Sequence, residues 1–331
     1  MSHEISIVNG KAEMAFIGSR SNIWQGLGQQ LTEDAGLDVW RVEAGMDWLA
    51  KASPLAYMTE NPGRHYYNGK RVLFRADNDA PLGIVSDRYN IVQPDEVLEF
   101  FRDLIEGAGF KMETAGVLFG GKKLCALAKV GESVKIGGID EIKPYLLVGT
   151  SLDGSMATVA HFTATRVVCN NTLRMAIGAN GKKAKIRVPH SKQFDASSVK
   201  DQIGIAQEVW HDFVEECETL SSIKLTRDEA ITIAAEELDI KFDDDLLPPM
   251  MVQQNRTLDS ILKLFDGTGM GANLATANGT GWGLVNAFTQ WADHDSISVR
   301  SDKSRSVDRA QFGDRATLKT NVADRLLKDF A

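Results

Sequence analysis

The sequence predicts an α+β fold, a mainly antiparallel sheet backed by helices and followed by a helical region. Three observations carry this. Between residues 66 and 178, β-branched and apolar runs are separated by tight turn dipeptides such as Gly120-Gly121 and Asp153-Gly154, which join neighbouring strands as hairpins. One strongly apolar helix, Pro94 to Gly107, lies among them, opened by Pro94-Asp95-Glu96. After residue 194 the apolar spacing changes to a helical period.

The elements follow in order. Residues 1–65 read as a peripheral N-terminal segment, with Ser21–Leu31 as a docking segment around Trp24 and Leu27. A helix is expected over Val42–Ala50 with Met46 and Leu49 inward, then a loop framed by Pro54 and Pro62. The α+β core spans 66–190 in the order β-β-α-β-β-β-β-α. Lys70–Arg75 is a strand, Asp77-Asn78-Asp79 with Pro81 a turn, and Leu82–Val85 and Ile91-Val92 continue the meander. Met112–Phe119 and Lys123–Val130 form a hairpin, and Tyr145–Val148 and Thr158–Val168 a second one. All of these strands are expected in one sheet, backed by the Pro94–Gly107 helix. Asn170-Asn171-Thr172 has the composition of an N-cap, so Leu173 onward is predicted helical. The basic stretch Ala179–Pro189 either edges the sheet or forms an arm. Residues 191–295 form a helical region. It includes Val199–Leu220, a helix capped by Thr226 and Glu229 in a capping box, and a buried helix over Trp282–Trp291. Between the last two lies Gly267–Gly281, with five glycines. It fits neither the lysine-containing phosphate loop nor the dinucleotide fingerprint. A C-terminal tail, 296–331, completes the chain.

The composition, 43% hydrophobic and 25% charged over 331 residues, suits a soluble chain with a sizeable core. No apolar run is long enough to span a bilayer and no secretion signal is read, so the expected location is the cytoplasm. The cysteines, Cys125, Cys169 and Cys217, are far apart and suggest neither disulfides nor a zinc module. Net charge is −8, but residues 201–250 alone carry fourteen acidic and three basic side chains, so the remainder is positive by three. A uniformly basic nucleic-acid binder is excluded, whereas a local phosphate-binding surface is not.

Candidate chemistry centres on the corner after Thr158–Val168, which delivers Arg166, Cys169, Asn170 and Asn171. Arg166 offers a planar fork of donors suited to phosphate, and the helix expected to follow would favour an anion at its N-terminus. The competing account has Asn170 and Asn171 simply capping that helix and Arg166 paired with a carboxylate. No metalloprotease, nucleophile-elbow or CxxC motif is present. His161, Asp153 and Cys169 fall near one hairpin and offer a metal or enzymatic site. A satisfied or exposed histidine is the better default, and no metal or cofactor is expected.

Several stretches together resemble one family. They are Trp24–Gly28, Leu73–Arg75, Gly83–Tyr89, Gly116–Lys122, Ser151–Ser155, Arg166-Val167-Val168-Cys169-Asn170-Asn171-Thr172-Leu173 and Thr280–Ala287. The chain resembles the phage and plasmid proteins catalogued as domain of unknown function 932, and the Arg166–Leu173 block is the most specific part. The resemblance implies a phage, prophage or plasmid setting in a bacterial host and no defined activity. A looser fold-level analogy is to phage single-strand annealing recombinases, which assemble into rings or filaments.

Two readings of different class follow. In the first the chain binds and anneals single-stranded DNA as a homo-oligomer, without catalysis. Arg75, Arg88, Lys122, Lys123, Arg166, Lys182, Lys183, Lys185 and Arg187 would hold phosphates, with Asn170 and Asn171 beside Arg166, and Tyr89 or Phe74 would stack on bases. In the second the chain is an enzyme of nucleic-acid or nucleotide metabolism, or a phage structural or host-interaction protein.

Overall fold

The computed structural model describes residues 7–8, 10–18, 28–60, 63–166, 171–174, 185–192, 206–241, 247–295, 309 and 312–330. Strands in chain order are β1 (Ile7–Val8), β2 (Lys11–Ala12), β3 (Met14–Ile17), β4 (Gln29–Leu31), β5 (Ala50–Met58), β6 (Arg64–Arg75) and β7 (Pro81–Ser86). They continue with β8 (Lys111–Leu118), β9 (Lys123–Lys129), β10 (Val134–Ile136), β11 (Asp140–Ser151), β12 (Thr158–Arg166), β13 (Asn171–Arg174) and β14 (Lys185–Val188). The helices are α1 (Leu37–Glu43), α2 (Pro94–Ala108), α3 (Ala206–Ser222), α4 (Arg227–Glu237), α5 (Pro248–Gln254), α6 (Arg256–Lys263), α7 (Gly281–Gln290) and α8 (Asp314–Phe330). The class is α+β, with mostly antiparallel pairing and helices gathered toward the C-terminus.

The chain divides into two compact units, one of residues 1–131, 145–161 and 185–204, the other of 132–144, 162–184 and 205–331. In the first, β8 and β9 form the expected hairpin, extended through β3 on one side and through β11 on the other. The one parallel pair among the described strands is β3 with β4. Alternation fails here: Ala115, Val117, Leu118, Leu124, Cys125 and Ala126 are all buried, as in a sheet covered on both faces. Helix α2 covers part of it, packing on β8 and β9. Its N-terminus is closed by a capping box between Gln93 and Glu96, and its C-terminus by Gly109 in the left-handed conformation.

The single-sheet expectation is corrected. Strands β5, β6 and β7 form a separate three-stranded sheet. The loop expected between Pro54 and Pro62 is instead the β5–β6 ribbon up to Met58. Pro54 is accommodated in β5 because the register shifts between Pro54 and Ala56, where a missing N–H is tolerated. Pro62 lies outside the described residues. The helix expected over Val42–Ala50 ends at Glu43, Leu49 is exposed rather than inward, and Ala50 already belongs to β5. Ile91-Val92 forms no strand.

In the second unit β10 pairs with β11 and β13 with β12. The expectation that Asn171-Thr172 caps a helix opening at Leu173 is corrected: Asn171–Arg174 is a strand, with Asn171 opposite Arg166. The β-branched Thr172 and the ladder to β12 outweigh the capping potential of the asparagines. Helix α7 is buried along its whole length, as expected for Trp282–Trp291. Its tie to β11 is the buried carboxylate of Asp140, which accepts from Trp282 Nε1 at 2.8 Å and from Thr276 Oγ1 at 3.3 Å. The Thr226–Glu229 capping box opens α4 as predicted. Helix α8 packs on α3, α4 and α7, and its buried Lys319 pairs with Asp293 at 2.8 Å. No described helix is long and apolar enough to cross a membrane.

Candidate nucleic-acid interface

Three of the sequence blocks singled out above meet in the first unit. The turn after β8 carries Phe119, Gly120, Gly121 and Lys122, and the Lys122 carbonyl accepts from Leu152 N at 2.7 Å. That hydrogen bond fixes the Ser151–Ser155 loop. A Cβ added to Gly83 would stand 2.6 Å from Asp153 Cα, so β7 can approach this loop only through a glycine. Asp153 is used locally, its carboxylate accepting from Ser155 N at 2.8 Å. The Asp87–Asn90 turn is anchored by Tyr89, whose hydroxyl donates to the Ser151 carbonyl. The Tyr89 ring stacks on His190 at 4.2 Å between centroids, and Arg71 donates to the Tyr89 carbonyl. His190 closes the cluster, donating from Nδ1 to Asn90 O at 2.9 Å. Burial lowers the pKa of His190 against the opposing pull of the Asn90 and Met156 carbonyls, and burial first of all pushes the Tyr89 phenol up to about 12.

This arrangement sorts the expected phosphate and base contacts. Arg88 and Lys122 are exposed at the surface of the cluster, and Lys123 is half-buried with its ammonium 5.6 Å from the Phe119 ring. Arg187 is exposed on β14, which runs antiparallel to β12 with Arg187 opposite Val159 and Lys185 opposite His161. The basic stretch thus edges the sheet from Lys185 onward. Lys182, Lys183, Cys169 and Asn170 lie outside the described residues. Two members leave the set. Tyr89 is 8% exposed and cannot offer a face to a base. Arg75 is 2% exposed, held by Glu13 through Nη1 at 2.9 Å and Nη2 at 2.6 Å, by Asp77 at 2.8–3.0 Å, and stacked 4.2 Å over Trp48. Burial opposes its charge, but the two carboxylates outweigh that and raise its pKa, so it is a structural cation. Phe74 is half-buried. Arg166 and Asn171 sit in a strand ladder, which removes the helix N-terminus as a reason for phosphate there.

What sequence reasoning missed is the β5–β6 ribbon. Strand β7 stops pairing with β6 at Lys70 opposite Ser86, so beyond Lys70 the ribbon is two-stranded. It exposes Tyr57, Tyr66 and Tyr67 at 51–59% and Met58 at 84%. Lys51, Arg64 and Lys70 are exposed along it and Arg71 is half-buried at its root. Near that root an open groove of about 710 Å³ is lined by Pro54, Tyr66, Tyr67, Lys70, Arg71 and Asp87. The Asp87 N–H donates to the Gly69 carbonyl at 3.3 Å, joining the ribbon to the turn that carries Arg88. The signal was present in Arg64–Arg71, where Tyr66-Tyr67 is flanked by Arg64-His65 on one side and Lys70-Arg71 on the other.

Among the described residues no three His, Cys, Asp or Glu side chains converge as a metal site. His161 is 2% exposed on β12. A family model described as "Domain of unknown function (DUF932)" matches residues 81–312, from β7 onward. No curated protein and no solved structure matches the chain.

Proposed function

We propose that this chain, which belongs to the family described as a domain of unknown function (DUF932), is a single-stranded DNA binding and annealing protein without catalytic chemistry. The observation that carries the reading is the exposed ribbon, with Tyr57, Tyr66 and Tyr67 interleaved with Arg64, Lys70 and Arg71. Stacking on aromatic rings beside cations that follow the phosphates is how proteins hold single strands without reading sequence. Arg88, Lys122, Lys123, Lys185 and Arg187 extend the cationic surface of the same unit, and Lys182, Lys183, Arg166, Asn170 and Asn171 belong to the proposal from sequence. The acidic helical segment of residues 201–250 is unsuited to DNA. The proposal includes a homo-oligomer, ring or filament, in the cytoplasm of a bacterial host carrying the phage or plasmid.

Filter binding of a single-stranded oligonucleotide across salt concentration tests it. Affinity is expected to fall linearly on a log–log plot, with a slope of about −0.7 per phosphate neutralised. Replacing Tyr57, Tyr66 and Tyr67 together by Ala is expected to weaken binding by at least about 1–3 kcal/mol, with the salt slope kept. Removing the charges of Lys182, Lys183, Lys185 and Arg187 is expected to flatten the slope. Light scattering at micromolar concentration is expected to show more than a monomer. A folded protein that retains no single strand at any salt concentration overturns the reading and moves the enzyme or structural alternative ahead of it.

A further inference from the structure

We infer that the β5–β6 ribbon is a wedge for forked DNA, the junction at which two paired strands part. The inference rests on the single-strand reading and narrows it to one substrate class. Its basis is that the ribbon carries aromatic side chains on both faces. The register sets Tyr57 opposite His65, with Ala56 opposite Tyr66 and Met58 opposite Arg64 on either side. Directly paired residues share a face and successive residues alternate. Tyr57 and His65 therefore occupy one face, while Tyr66, Met58 and Arg64 occupy the other. The two rings of the first face are already stacked, 5.4 Å between centroids and 27° between planes. On the second face Tyr66 is 59% exposed beside the guanidinium-bearing Arg64.

A ribbon that bound one strand would need aromatic residues on one face only. Here side chains of both faces are exposed, Tyr57 at 51% on one and Tyr66 at 59% on the other, and beyond Lys70 the strand β7 no longer pairs with β6. Met58, the last residue of β5, is the most exposed large apolar side chain described, at 84%. Apolar side chains inserted between base steps are how proteins unstack and kink a duplex, and at a junction such a wedge meets bases whose next neighbours are already unpaired. A base from each separated strand can then stack on each face, while Lys70 and Arg71 at the root meet the phosphates. A plain single strand engages one face and a blunt duplex neither, so the fork alone uses the whole surface. The same geometry serves annealing, because the closing point of two strands is a fork.

The experiment compares, at one salt concentration, a fork with two unpaired arms, a single strand equal in length to both arms together, and a blunt duplex. The fork carries 2-aminopurine at the junction. The fork is expected to bind about tenfold tighter than the single strand, the size of one added base–aromatic stack. The blunt duplex is expected to bind weakest, and fluorescence at the junction to rise as its base leaves the stack. Tyr57→Ala and Tyr66→Ala are each expected to bring fork affinity down to that of the single strand, and Met58→Asp to abolish the fluorescence rise. Tyr66→Phe is expected to keep both. All variants lie on an exposed ribbon, and circular dichroism melts confirm their folding. Equal affinity for fork and single strand overturns the wedge and leaves the single-strand reading standing. Absence of binding to every DNA overturns both.

Discussion

Truncating Arg75 to Ala removes the guanidinium that pairs with the buried Glu13 carboxylate. Both residues are at most 6% exposed at the side chain, whereas Asp77 is 35% exposed and keeps part of its hydration. The cost is therefore dominated by Glu13 left charged and unpaired in the interior, about 3–5 kcal/mol, with Asp77 adding little. The lost packing on Trp48, where the guanidinium lies 4.2 Å from the ring, acts in the same direction. For a unit of this size each kcal/mol lowers the melting temperature by about 2–4 °C, so Arg75→Ala is expected to melt roughly 6–20 °C below the parent. The double variant Glu13→Leu/Arg75→Met removes both charges and is expected to recover most of that loss, since a buried pair replaced by apolar side chains is often neutral. Differential scanning calorimetry of the parent, Glu13→Leu, Arg75→Met and the double variant closes the cycle, with Arg75→Ala measured beside it. A single variant within about 2 °C of the parent, or a double variant no better than Arg75→Ala, refutes the assignment of Arg75 as a structural cation.

Tyr89→Phe is expected to cost about 1 kcal/mol in urea melts through the unpaired Ser151 carbonyl, with single-strand affinity unchanged, because the ring already faces the interior. Its phenol, raised to about 12 in the fold, stabilises the protein below pH 10 and loses that contribution as pH rises toward 12. Alkaline melts of the parent are expected to steepen in that window, and those of Tyr89→Phe are not. Glu216 is raised to about 7, first by burial and then by Asp324 and Asp212. Its protonated form favours the fold below pH 4.5, and the advantage is lost as pH rises through 7, so Glu216→Gln is expected to flatten stability between those values. Discounted for partial solvation, the variant is expected to gain roughly 1–2 kcal/mol at pH 8, measured by denaturant titration. Gly83→Ala forces a methyl group to within 2.6 Å of the Asp153 Cα and is expected to cost about 1–3 kcal/mol, read as a lower urea midpoint.

The α+β class, the β8–β9 hairpin, α2, the Thr226 cap and the buried α7 were all legible, because each is set by residues adjacent in sequence. The division into two sheets was not. Strands β5, β6 and β7 pair with their neighbours in sequence, whereas β8 also takes β3, about a hundred residues earlier, and no local pattern announces that long-range partner. Asn170-Asn171-Thr172 misled for a related reason. Its capping signal is local, whereas the ladder from β12 that makes Asn171–Arg174 a strand is not. Arg75 and Tyr89 read as surface groups since their partners, Glu13, Asp77, Ser151 and His190, lie mostly in other segments. The ribbon tyrosines were overlooked because Pro54 and Pro62 suggested a loop, although a proline sits comfortably at a register shift.

The pairing of β3 has a bearing on how the chain is made. Met14 lies opposite Gly116, so the first residues of the large sheet leave the ribosome about a hundred residues before the strand that receives them. Until then Met14, Ala15 and Phe16, all at 0% exposure in the finished fold, have only the short parallel strand β4 beside them, and Glu13 awaits Arg75. Closing a contact of such sequence separation is slow. The β3 segment is thus an apolar stretch that waits on the translation of β8 before its buried face is fully covered.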